Sequence, residues 1–143
     1  MSSGPTDEPT IFTRIIRGEL PGRFVWRDAD GPDAVVAFLT IAPIRPGHLL
    51  VVPVAPVNVW TDLPASTWAR LAAVSQTIAA ALDGVFECER VALVIAGLEV
   101  PHCHVHLVPI RSEADLSFAL ADHGATAESL DRSAELIVEA LSR

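Results

Sequence analysis

Apolar residues recur along this chain with two different periods, and the change from one to the other marks its elements. Between residues 65 and 84, Trp68, Leu71, Val74 with Ser75, Ile78 and Leu82 follow one another at steps of three and four, which is one face of a helix. Alanines fill much of the remainder, favouring helix and allowing close approach. Pro64 stands where a missing N–H costs nothing, Thr61 or Asp62 can cap the start, and Gly84 is the expected C-cap. A second stripe, Leu130, Ala134, Ile137, Val138 and Leu141, predicts a helix over 127–141, with Thr126 as its cap and Glu128 favourable in its first turn. Phe12, Ile15 and Ile16 predict a short helix over 11–17 that Gly18 can end.

Elsewhere the apolar residues alternate or run together briefly. Strands are predicted over 23–27, 34–40, 48–52, 91–96 and 101–109. The first two flank DADGPD, a cluster of turn formers, and read as a hairpin. The third is apolar throughout, as in a strand covered on both faces, and Pro53 ends it. Strands as antiparallel neighbours, one long helix between the third and fourth, a short helix first and another last make an α+β fold. Residues 1–10 read as a flexible tail, 11–111 as the domain, and 112–143 as a C-terminal extension of the same unit, with a loop over 111–122 that has room for a little helix.

Composition narrows the functions. At 143 residues the chain makes one domain with a core of its own. A net charge of −8 and a pI near 4.9 argue against nucleic acid as a bulk ligand, since phosphate backbones recruit Lys and Arg. A small phosphorylated ligand held by a local site stays open. The start of the chain lacks the basic residues and apolar run of a signal peptide, and the most apolar stretch, 49–59, is interrupted by Pro53 and Pro56, so no membrane association is expected and the expected location is the cytoplasm. Cys88 and Cys103 form no CxxC pair and suggest no disulfide framework. Neither GxGxxG nor GxxxxGK[ST] occurs.

The chemistry concentrates in 97–110, GLEVPHCHVHLVPI. His102, His104 and His106, three of the five histidines, alternate with Cys103, Val105 and Leu107. On a strand this sets three imidazoles on one face and the apolar residues on the other, toward the core. Two chemistries want such a row. Imidazoles bind zinc, although a zinc site usually needs a further ligand and supporting hydrogen bonds. An uncharged imidazole also attacks phosphorus, while a protonated neighbour holds a phosphoryl oxygen and a third ring fixes orientation.

HCHVHLV, of the form HxHxHxx, resembles the signature of the histidine triad (HIT) superfamily. IFTRIIRGELPGRFVW is similar to that family's N-terminal segment, and VVAFLTIAPIRPGHLLVVP to its central strand pair. The resemblance runs from Ile11 to about Arg111 and is nearest to the small bacterial members related to histidine triad nucleotide-binding proteins. It implies a five-stranded antiparallel sheet and a hydrolase that acts at the α-phosphate of purine nucleoside phosphoramidates or dinucleotides. It implies His104 as the nucleophile that forms a nucleotidyl-histidine, with its other nitrogen held by the His102 carbonyl. His106 would bind the phosphate, His102 support the row, and His48 buttress it from the adjacent strand. Phe12, Phe38 and Ile41 resemble the pocket for the base, although the same residues serve equally as core. The resemblance implies a homodimer, no metal in catalysis and no cofactor. A nucleotide-binding regulatory protein with little turnover is the alternative.

Three departures stand out. Thr40 falls where an acidic residue usually binds the ribose. Pro56 stands where many members carry another histidine. Leu98 and Glu99 replace a Gln-Ser pair that contacts phosphate and leaving group, and a carboxylate at Glu99 should alter leaving-group preference or slow turnover. The N-terminal CxxC of zinc-holding members is missing around Phe12 and Thr13, so no structural zinc is expected.

Overall fold

The computed structural model describes residues 9–28 and 30–143; the expected tail lies almost wholly outside them. Helix α1 (Ile11–Ile16) opens the domain, followed by strands β1 (Phe24–Arg27), β2 (Val35–Leu39) and β3 (Leu49–Pro53). Helix α2 (Ala65–Val85) then leads to β4 (Arg90–Val94) and β5 (Val105–Ile110), and helix α3 (Ala127–Leu141) closes the chain. The five strands form one antiparallel sheet in the order β1-β2-β3-β5-β4. The predicted α+β architecture is the observed one. Among the described residues no helix is long and apolar enough to cross a membrane.

The pleat sorts the strands' side chains into two clusters. Val35, Ala37, Leu39, Leu49, Val51, Val105 and Leu107 face α2 and α3, which contribute Leu71, Val74, Ile78, Leu82, Leu130 and Ile137. Each such aliphatic side chain removed from water contributes roughly 1.5–3 kcal/mol before entropy is counted. Val36, Phe38, Leu50 and Val52 point the other way and pack with Phe12, Ile15, Ile16 and Phe24 from α1 and β1. That second cluster is smaller. The face it covers carries the histidines.

Several element ends differ from the sequence reading. Helix α2 runs through Gly84 to Val85, and Phe86 closes it by donating its N–H to Leu82 O. No side chain caps its start, because Thr61 and Asp62 are taken into a 3-10 turn, Trp60–Asp62. Val138 is half-exposed, so the buried stripe of α3 is narrower than its apolar spacing suggests. The fourth strand stops at Val94. The fifth begins only at Val105, which changes the geometry of the histidine row.

Candidate active site

The sheet register builds the open face. His106 on β5 lies opposite Leu50 on β3 and Val94 on β4; Leu50 lies opposite Phe38, and Phe38 opposite Phe24. One transverse row therefore runs from aromatic rings into the catalytic candidate. His102 and His104 are not on the strand. At 101–104 the chain has left the sheet: Cys103 N–H bonds to Val57 O, and the ring of His102 reaches Pro53 O at the end of β3. The predicted single-strand row is thus a bend running into a strand. Alternation still survives the bend. Cys103, Val105 and Leu107 are fully buried in the core, and the rings of His104 and His106 stand 4.9 Å apart on the other side.

The hydrogen bonds assign which nitrogen carries each hydrogen. His104 Nδ1 is 2.8 Å from His102 O. A carbonyl only accepts, so Nδ1 holds the hydrogen and Nε2 keeps a lone pair. The second chain starts at a donor. Ile44 N–H donates to His48 Nδ1 at 3.0 Å, so neutral His48 carries its hydrogen on Nε2. That Nε2 donates to His106 Nδ1 at 3.0 Å, which leaves the hydrogen of His106 on its Nε2. Two adjacent rings thus turn opposite tips outward: a lone pair on His104 and an N–H on His106. Both tips lack a protein partner among the described residues, and neither is sealed from solvent.

Burial keeps all four rings neutral. It is the first cause lowering each of them: His48 falls to about 4 and His106 to about 3, the latter also repelled by His104 and His48. Burial lowers His102 and His104 as well, in His104 against the His102 carbonyl and the Glu99 carboxylate, which favour its charged form. His106 therefore offers a neutral N–H, where the sequence reading foresaw a protonated neighbour. Both nitrogens of His102 and both of His48 are occupied, and among the described residues no three His, Cys, Asp or Glu side chains converge as metal ligands. A Thr10 hydroxyl meets His102 where a zinc site would need a thiolate or a free nitrogen, so these residues do not fit a zinc there.

The remaining candidates divide. Phe12 and Phe38 are buried in the second cluster, and the Phe12 ring packs edge-to-face with centroids 4.9 Å from His104 and 5.6 Å from Phe38. They form a floor under the histidines. Ile41 lies beyond the end of β2 and is 74% exposed. Thr40 is half-buried, and its Oγ1 accepts from Ala42 N. Glu99 is exposed and near enough to act on His104. Two contacts were not foreseen. Thr10 was assigned to the tail, although a threonine directly before an apolar helical run is a cap signal. Phe118 falls in the expected loop over 111–122; its ring packs edge-to-face with His106, centroids 4.8 Å apart, and no local pattern announces such a contact.

The HIT domain model covers residues 17–113, and the chain belongs to that family. It is 36% identical to a HIT-like protein of Synechococcus elongatus over 75% of this chain and 95% of that one. It is 34% identical to a purine nucleoside phosphoramidase of Escherichia coli over 71% of this chain and 87% of the relative. The crystal structure of a HIT-like protein involved in cell-cycle regulation from Bartonella henselae superposes with a TM-score of 0.79 at 27% identity, covering 95% of this chain and 98% of that chain.

Proposed function

We propose that this protein is a nucleotide-binding hydrolase that cleaves purine nucleoside phosphoramidates or dinucleotides at the α-phosphate through a nucleotidyl-His104 intermediate. The observation that carries this is the pair of opposed tips, a lone pair on His104 Nε2 beside an N–H on His106 Nε2. Attack needs the first, and a non-bridging phosphoryl oxygen is held by the second. In the first step a P–N bond forms to His104, and the bond from phosphorus to the leaving amine or phosphate breaks. A leaving amine departs with a proton drawn from solvent and a leaving phosphate departs as its anion; the water of the second step returns a proton to solvent. The positive charge that develops on His104 spreads to Nδ1–H, which already points at the His102 carbonyl. Water then attacks phosphorus, the P–N bond breaks, and a nucleoside monophosphate and neutral His104 result. No metal enters either step. Phe12 and Phe38 lie under the base, with Ile41 and Thr40 at its rim and the ribose. Glu99 faces the leaving group. The similarity to a purine nucleoside phosphoramidase supports this substrate class.

A second copy of the chain completes the assembly in this reading. Strand β4 is a sheet edge with Leu93 half-exposed, and pairing two such edges would join the sheets.

The test is AMP release from adenosine 5′-phosphoramidate and from a dinucleoside polyphosphate, with and without EDTA, beside His104→Ala. Chelator-resistant release that disappears in the variant, with label trapped on His104 in the wild type, is the expected result. AMP binding without release would refute the hydrolase and leave a nucleotide-binding regulatory protein, with Thr40 and Glu99 as the departures to revert first.

A further inference from the structure

We propose that Thr10 is a positioning residue of the histidine site: its hydroxyl donates to His102 Nδ1 and so holds the carbonyl that sets the tautomer of His104. The proposal rests on the reading of His104 as nucleophile. Thr10 is buried, and its Oγ1 lies 2.7 Å from His102 Nδ1 across 92 positions of sequence. The direction of that bond follows from the other side of the ring. His102 Nε2 is 2.7 Å from Pro53 O, which can only accept, so Nε2 carries the hydrogen and Nδ1 is the acceptor. Thr10 must then donate. Its oxygen accepts from Thr13 N–H at 3.1 Å, and Thr13 Oγ1 stands 3.2 Å away. A one-way chain results: Thr13 N–H to Thr10, Thr10 to His102, His102 to Pro53.

This chain matters because the sheet does not hold His102. Strand β5 starts three residues later, at Val105. Among the described residues, the main-chain hydrogen bonds donated at 102 and 103 run from His102 N–H to Val100 O and from Cys103 N–H to Val57 O, neither of them part of the sheet. A fully buried ring pinned at both nitrogens supplies the missing stiffness. The His102 carbonyl is the acceptor for His104 Nδ1–H, so slack in His102 lets His104 adopt the tautomer that carries its hydrogen on Nε2 and has no lone pair at the open tip. The same threonine caps α1. Two residues on, the Phe12 ring packs edge-to-face against both His102 and His104, with centroids 5.8 Å and 4.9 Å away. One hydroxyl therefore links the start of the domain to the attacking nitrogen.

Three variants separate the hydroxyl from bulk: Thr10→Val keeps the shape without the hydroxyl, Thr10→Ala removes both, and Thr10→Ser restores the hydroxyl alone. With the buried acceptor left unpaired, single-turnover formation of nucleotidyl-His104 in Thr10→Val is expected to fall about tenfold while KM stays within about twofold. Thr10→Ser is expected to return the rate to near the wild-type value. Nitrogen NMR of His102 gives a readout that loss of a helix cap alone would not move. In Thr10→Val the Nδ1 resonance should shift toward that of an unbonded lone pair, and in Thr10→Ser it should not. A wild-type rate in Thr10→Val, an equal defect in Thr10→Ser, or an unmoved Nδ1 resonance in a folded Thr10→Val would each overturn the proposal. If the wild type forms no nucleotidyl-histidine, the hydrolase reading fails, and the nitrogen resonances still decide whether Thr10 ties His102.

Discussion

Replacing His48 by glutamine tests the neutral, backbone-set ring network through stability alone. His48 is 2% exposed, and burial lowers its pKa from 6.5 to about 4. In the unfolded chain it takes a proton near 6.5; in the folded chain it resists until about 4. The stability this represents is complete above pH 7 and is lost as the pH falls through that window. Between pH 7 and pH 5 the loss from His48 alone is about 2 kcal/mol. His106, lowered to about 3, shares a hydrogen bond with it, so the two titrate as a pair, and together they remove about 2–4 kcal/mol. That is a large part of an ordinary domain's 5–15 kcal/mol. Glutamine can accept from Ile44 N–H with its oxygen and donate to His106 with its amide, without taking up a proton. Urea unfolding of the wild type and His48→Gln at pH 7, 6 and 5 reads the difference. The variant should lose roughly 2 kcal/mol less across that range. Asp28 and Asp115, whose pKa values are lowered first by Arg70 and Arg111 respectively, contribute stability that is lost only below the usual carboxylate range, outside this window. Parallel pH dependence of the two proteins would refute the reasoning.

Other perturbations probe the remaining links. Burial lowers the pKa of His104, so the acidic limb of kcat/KM should fall below pH 6.5; in Glu99→Gln, which removes a group that raises it, the limb should move lower still. Ile78→Ala empties a fully buried site between α2 and the sheet and should cost about 2–5 kcal/mol in chemical denaturation. Gly47 has φ +92°, and an added Cβ would meet the Phe86 ring at 2.7 Å, so Gly47→Ala should cost about 1–3 kcal/mol and, by moving the neighbouring His48, also slow turnover.

The parts that were legible in the sequence are those with a local signal. The α2 stripe from Leu71 to Leu82 and the apolar run at β3 announce themselves by period and length, and their burial follows. His102, His104 and His106 were found by alternation, but alternation alone could not show that the first two precede the strand. That depends on Pro53 O and Val57 O, which belong to other parts of the chain. Gly84 misled because a glycine within reach of a helix end need not terminate it; here Phe86 makes the closing bond. The exposure of Ile41 was not legible either: its apolar side chain suggests core, yet β2 ends at Leu39 and the side chain faces solvent. Thr10 and Phe118 touch the histidines from segments far apart in sequence, and no periodicity encodes a contact of that kind.

Whether each outward nitrogen carries a hydrogen or a lone pair is decided upstream by a main-chain group: the amide of residue 44 for His106, the carbonyl of residue 102 for His104. Every amino acid carries a carbonyl, and every one except proline carries an amide hydrogen. The division of labour between the two rings is therefore indifferent to which side chain occupies position 44, so long as it is not proline.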